Sequence, residues 1–243
     1  FAQFDASGYA YQKFVGLFLT TEKPHGLKRP VIMDARLCQT DGYRFVYTLP
    51  FCHRTLLIED TRYADTPHLD VATLHQGILD YAQTMGWQVA QVDQKEQGVL
   101  PLPLTAAKRP RAQPGQAAKI GVAGGLFNAA TGYSLGEAIH FAEWLCGQPK
   151  GQNLTAAIED YADQVWAKET FGRKLNAMLF AATPSHRRVA VMERFYRHPP
   201  DLIQRFYGGK LSWQDKLKIL AIKPPIPLWP ALQSFCWPQE VQA

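Results

Sequence analysis

The sequence has no apolar run approaching the roughly 18 residues a membrane-spanning helix needs, and no basic-then-apolar leader. Its four cysteines, Cys38, Cys52, Cys146 and Cys236, are widely separated and form no C-x-x-C pair. That is too few for a disulfide framework in a chain of this length, so a reducing compartment is expected. The seven histidines never stand beside cysteines or carboxylates at a metal-ligand spacing, and no metal is expected. A G-x-G-x-x-G nucleotide fingerprint is also missing, because Gly121-Val122-Ala123-Gly124-Gly125 has the wrong spacing.

What is present is a globular composition, with 47% hydrophobic and 12% aromatic residues in 243, enough for a substantial core. The formal charge of +5 is modest but uneven. From Ser185 to Lys223 nine Lys or Arg face three acids, interleaved with Phe195, Tyr196, Phe206, Tyr207 and Trp213. Basic residues among aromatics suit nucleic acid or an anionic membrane. No nucleic-acid recognition motif accompanies the charge, which favours the membrane or a plain helix-packing role.

The first hundred residues favour strands. YRFVYTL alternates, placing Tyr43, Phe45, Tyr47 and Leu49 on one face and Arg44, Val46 and Thr48 on the other. YQKFVGLFL, PVIMDARL and RTLLIEDTRY read similarly, with Thr40-Asp41-Gly42 as turn chemistry, and together they imply an antiparallel sheet. Leu69 to Met85 switches to helical spacing, with Asp70 placed to cap it, and WQVAQVDQKEQGVLPLPL returns to extended structure. Lys108 to Lys119 reads as an exposed connection.

AKIGVAGGLFNAATGYSLGEAIHFAEWL predicts a short strand, a glycine turn, and a helix opened by a capping box at Ser134 and Glu137, with Leu135, Ala138, Ile139, Ala142 and Leu145 as one stripe. From Leu154 helices follow, broken at Thr183-Pro184, His198-Pro199-Pro200 and Gly208-Gly209. The proline-rich KPPIPLWP predicts an extended end.

The stretch RTLLIEDTRYA carries two adjacent acids in an apolar run. Strand alternation separates them: Asp60 shares a face with Arg62, whereas Glu59 has no charged neighbour on its own face of the strand. Burial of a carboxyl on an apolar face disfavours its ionised form, so Glu59 can hold a proton at neutral pH and deliver it. The plainer alternative is a solvated sheet face with a surface ion pair. Equally, the Tyr43, Phe45 and Tyr47 stripe is ordinary core or a surface that stabilises a cation.

Leu57-Ile58-Glu59-Asp60-Thr61 resembles the F-L-E-E-T-type motif of lycopene beta-cyclases. GLKRPVIMDA, DGYRFVYTLP, LLIEDTRY, GLFNAATGYSL, LNAMLF, DLIQRFYGGKL and KPPIPLWPAL resemble stretches of the bacterial members in the same order, from near Tyr9 to Leu232. The resemblance implies an α/β chain of α+β character: part of an FAD-dependent hydroxylase-like fold, with an antiparallel substrate-domain sheet, a remnant of the Rossmann-like FAD domain and a helical C-terminal region. It implies domains at 1–108 (sheet), 109–150 (distal FAD-domain segment) and 151–243 (helical, with membrane contact). With the fingerprint missing and the chain starting at Phe1, the sequence reads as the distal part of such a cyclase.

The resemblance further implies redox-neutral acid/base closure of the psi ends of lycopene to beta-ionone rings, using FAD in its reduced form with NADPH as reductant. The protein is expected at the cytoplasmic side of the membrane, peripherally bound, with lycopene and related acyclic carotenes as partners. Glu59 is the implied principal acid, with Asp60 as a supporting acid. Asp34 matches an M-D motif, with a structural ion pair to Arg36 as the alternative. Gly125, Asn128, Thr131, Gly132 and Tyr133 are the implied flavin contacts, in a segment where bacterial members have His-Pro in place of Asn128-Ala129. Two other readings stay open: a related FAD-dependent monooxygenase or oxidoreductase acting on a prenyl lipid, and a non-catalytic lipid-binding module.

Overall fold

The structure, a computed structural model, describes residues 8–39, 42–113, 115–149 and 153–221. KPPIPLWP, Cys236 and the Thr40-Asp41 part of the expected turn lie outside the described residues. The chain forms two compact units: Tyr11–Leu100, and the described residues from Pro101 onward together with residues 8–10.

The first unit is built on a five-stranded sheet in the order β2-β3-β4-β1-β5. Its strands are β1 (Tyr9–Thr21), β2 (Val31–Asp34), β3 (Tyr43–Pro50), β4 (Thr55–Ala64) and β5 (Val89–Pro103), and β1 and β5 run into the second unit. β4 is central and pairs antiparallel with both β1 and β3. Because side chains alternate along each strand, the sheet has two distinct faces.

One face carries Val15, Leu17 and Leu19 of β1, Val46 of β3, and Leu56 and Ile58 of β4, and it is closed by helix α1 (Val71–Thr84). Leu74, Ile78, Tyr81 and Ala82 of α1 fill that core, and Asp70 caps the helix by accepting from Thr73 N. The four expected strands and this helix therefore form where period and capping placed them.

The second unit is helical: α2 (Leu135–Cys146), α3 (Leu154–Lys168), α4 (Thr170–Phe180), α5 (Arg188–Phe195), α6 (Pro200–Tyr207) and α7 (Trp213–Ala221). The breaks fall at the predicted Pro and Gly positions, with Pro200 at the start of α6 and Gly208 ending it. Phe195 and Phe206 pack with tilted rings, centroids 4.6 Å apart, and the Tyr196 and Tyr207 hydroxyls bond to each other, so the aromatics of α5 and α6 pack on one another.

Two expectations fail in this unit. The strand expected before the glycine turn is absent: Gly121–Gly124 is a 3₁₀ turn. A Cβ on Gly124 would lie 2.2 Å from Lys119 O, and Gly121 and Gly125 have positive φ, so the chain doubles back where an extended strand cannot. The capping box does not form either. Ser134 makes no side-chain cap bond, and Glu137 instead accepts from Tyr161 of α3 at 2.6 Å.

On the same side of α2, Phe141 and Trp144 pack against Tyr161, Ala162 and Val165 of α3. The predicted Leu135-Ile139 stripe of α2 faces outward instead, with Leu135 75% and Ile139 52% exposed.

Candidate active site

Asp60 belongs to the α1-covered face. It is fully buried, accepts from Arg44 Nε and Nη2 at 2.7–3.1 Å, and has Arg62 Nε at 3.6 Å. Gly77 of α1 makes room for this cluster, since a Cβ there would lie 2.6 Å from Arg44 Nη2 and 3.0 Å from Asp60 Oδ2. The carboxyl is thereby bound to arginine through charge-assisted hydrogen bonds and shielded from solvent.

Asp34, across from Val46 on the same face, accepts from Arg36 at 2.8–3.1 Å and from the Tyr81 hydroxyl at 3.1 Å. The Arg36 bonds outweigh the burial that opposes them and hold the Asp34 carboxyl down at about 2. Its observed partnership is the structural ion pair.

Glu59 stands on the other face, apart from both. Its register neighbours are Gly16 on β1 and Tyr47 on β3; next along are Phe14 and Phe45 beside Thr61, and Gln12 and Tyr43 beside Tyr63. The rings of Tyr43, Phe45, Tyr47 and Tyr63 form a contiguous group with centroids 5.2–5.9 Å apart. Phe45 is fully buried, Tyr43 and Tyr63 nearly so, and Tyr47 and Glu59 partly. The sheet thus places the partly buried Glu59 at the end of an aromatic patch.

Burial pushes the Glu59 carboxyl above its ordinary value. Thr61, whose hydroxyl donates to Glu59 Oε1 at 2.8 Å, pulls the other way, and the negative charge of Glu96 adds to the upward push. An acid that keeps its proton beside aromatic rings can protonate an electron-rich hydrocarbon, because no nearby cation holds it ionised.

In the second unit, the proposed flavin segment forms a tight loop before α2. Asn128 Oδ1 accepts from Ala130 N and Thr131 N, Asn128 O accepts from Gly132 N, and Asn128 N donates to Tyr133 O. Gly132 takes a positive φ of 73°, and Gly125 sits at 81°. Asn128 therefore organises this turn through hydrogen bonds. With no side chain capping α2, its first N–H groups stay available to an electron-rich edge.

The same loop borders a cavity of about 70 Å³ with Glu169, Gly172 and Lys216. Ala129 N donates to Glu169 Oε2 at 2.8 Å, and burial raises the Glu169 carboxyl.

Sequence reasoning missed Gly16, Glu96 and Glu169. Gly16 was findable, since a glycine inside an apolar strand signals a close approach. Glu96, in the polar run VDQKEQ, carries no distinguishing signal.

The family model described as Lycopene cyclase protein matches residues 2–233. The lycopene beta-cyclase of Paracoccus sp. (strain N81106 / MBIC 01143) is 44% identical over 235 residues, covering 95% of this chain and 60% of that protein. The lycopene beta-cyclase of Pantoea ananas is 43% identical over 244 residues, covering 96% and 64%. That of Pseudescherichia vulneris is 43% identical over 221 residues, covering 90% and 57%. The chain spans about three-fifths of the length of these curated relatives. Among solved structures, a geranylgeranyl bacteriochlorophyll reductase-like protein from Thermoplasma acidophilum is a remote likeness, with a TM-score of 0.45 and 14% identity over 90% of this chain and 53% of that one.

Proposed function

Because the chain belongs to the lycopene cyclase family, we propose that it carries the acid/base centre of a lycopene beta-cyclase, which closes the psi ends of lycopene into beta-ionone rings. The observation that carries this reading is Glu59: a partly buried carboxyl, pushed toward its protonated form, at the margin of an aromatic patch.

The chemistry asks for little else. The Glu59 proton adds to the terminal alkene, the resulting cation closes onto a neighbouring double bond, and a ring proton leaves to give an isomer of the starting chain end. Water must be kept away from the cation, and Phe45, Tyr43, Tyr63 and Leu57 form an apolar surface for that purpose. A desolvated cation over a ring face gains about 2 kcal/mol or more, which gives the partly exposed Tyr47 a role beyond packing. Asp60 and Asp34 support this face from behind, Asp60 by tying β4 to β3 through Arg44 and Asp34 by tying β2 to α1 through Tyr81.

The proposed cofactor is FAD in its reduced form, with NADPH as reductant. Thr131, Gly132, Tyr133 and the uncapped first turn of α2 fit the electron-rich edge of such a ring, with Gly125 and Asn128 shaping the loop. Bound there, a reduced flavin would supply an electron-rich surface that favours the cation, without net electron transfer.

Lycopene resides in lipid, so peripheral membrane contact at the cytoplasmic side is part of the proposal. Among the described residues no helix is long and apolar enough to cross a membrane. On α7, Trp213 (69% exposed) and Leu217 (56%) stand four residues apart beside exposed Lys218, a pattern suited to an interface.

The test is expression, in lycopene-accumulating cells, of a protein of the relatives' full length bearing this chain, with chromatography of the pigments. Beta-carotene from the parent and uncyclised lycopene from Glu59→Gln are expected. Ring closure by a well-folded Glu59→Gln protein would remove Glu59 from the mechanism, and turnover coupled to oxygen consumption would point to a monooxygenase.

A further inference from the structure

Gly16 is the β1 residue directly opposite Glu59, and it has no side chain to occupy the face they share. The side chain of Glu96, from β5, fills that gap: a Cβ on Gly16 would lie 2.7 Å from Glu96 Cγ and 2.8 Å from its Oε1. Directly opposed residues of an antiparallel pair hold their Cβ atoms about 5 Å apart. The Glu96 carboxyl is therefore laid over the backbone next to the Glu59 carboxyl.

On this face β1 offers Gln12, Phe14, Gly16, Phe18 and Thr20, none of them charged. β3 offers the phenols Tyr43 and Tyr47, and β4 offers Tyr63. From β5 come Glu96 and, at the far edge, Asp93, whose Oδ2 accepts from Thr20. Among the described residues neither Glu59 nor Glu96 has a salt-bridge partner.

We propose that Glu59 and Glu96 form a carboxyl pair across Gly16, in which Glu96 is the positioning residue that keeps the transferable proton on Glu59; this rests on the acid role proposed above. Two carboxyls sharing a partly buried site resist losing both protons, so the pair holds one. When the Glu59 O–H bond breaks, the alkene π pair forms the new C–H bond, leaving two carboxylates near the new cation. When the ring C–H bond breaks, its electron pair becomes the ring double bond and the proton returns to the pair. No oxidant or reductant enters the balance.

The experiment is infrared titration of the protonated-carboxyl band of the 243-residue chain, assigned by its loss in Glu59→Gln. In the isosteric Glu96→Gln variant the band is expected to titrate at lower pH. Gly16→Ala, whose methyl displaces the Glu96 carboxyl, should shift it the same way, and Asp93→Asn should leave it in place. An unchanged midpoint in both Glu96→Gln and Gly16→Ala overturns the pair, as does the absence of a Glu59 band in the parent.

In the full-length enzyme, Glu96→Gln should move the alkaline limb of the rate profile to lower pH and cut turnover there by roughly tenfold or more. Failure of the acid assignment is separate: it would appear as beta-carotene made by Glu59→Gln, whatever the infrared shift.

Discussion

Glu59 and Asp60, adjacent in the chain, lie on opposite faces of one sheet: Asp60 is fully buried and salt-bridged to Arg44 at 2.7 Å, while Glu59 faces the aromatic patch with Thr61 as its hydrogen-bond donor. A one-residue difference in position separates a group locked into a buried arginine cluster from one that burial pushes toward its neutral form. The two should therefore respond to substitution in different ways.

Asp60→Ala leaves the largely buried Arg44 without the carboxylate that binds it. A loss of roughly 3–5 kcal/mol is expected in urea unfolding, the cost of breaking a buried pair from one side. Glu59→Gln, which removes no ion pair, should keep the parent stability near neutral pH while losing cyclisation. Equal destabilisation by both would show that Glu59 is as structural as Asp60.

Gly77→Ala tests how tightly α1 closes over that cluster. Helix propensity alone favours alanine by about 1 kcal/mol. The methyl would meet Arg44 Nη2 at 2.6 Å, and Arg44 is held by a fully buried carboxylate, so overpacking of roughly 1–3 kcal/mol should prevail. Net stabilisation, measured by thermal unfolding, would show that Arg44 can move aside freely.

Asp34 and Glu59 should leave opposite marks on the pH dependence of stability. Asp34 is lowered from 3.8 to about 2, so the stability it adds is complete above 3.8 and is lost as pH falls toward 2. Glu59 is raised from 4.5, so the folded state binds its proton more tightly than the unfolded chain. That contribution is complete below 4.5 and fades as pH rises through the folded value. Asp34→Asn should flatten the acid limb of a stability-versus-pH curve, and Glu59→Gln should flatten the limb above 4.5. The reverse assignment would refute both environments.

The two sides of α2 should differ sharply. Phe141→Ala removes a ring packed on Trp144 and Tyr161 and is expected to cost roughly 3 kcal/mol. Ile139→Ser on the exposed stripe should stay within about 0.5 kcal/mol in this chain. A large loss from Ile139→Ser would mean that stripe is covered in solution.

The strands, α1 with its Asp70 cap, and the helix breaks at Pro200 and Gly208 were legible because each depends on local periodicity, capping or backbone freedom. Strand alternation alone also assigned Glu59 and Asp60 to opposite faces. The 3₁₀ turn at Gly121–Gly124 and the missing capping box were not legible, because Lys119 and Tyr161 decide them through contacts that a local pattern does not contain.

The sequence by itself determined which residues share a face, and the chemistry of an acid in an apolar strand, since both follow from the two-residue repeat of an extended chain. Only the tertiary structure decided which face α1 covers, that Arg44 joins Asp60, and that Glu96 reaches across Gly16 to Glu59. Those outcomes depend on strand order and register, which bring together residues 16 to 80 positions apart through pairing that no short window of sequence records.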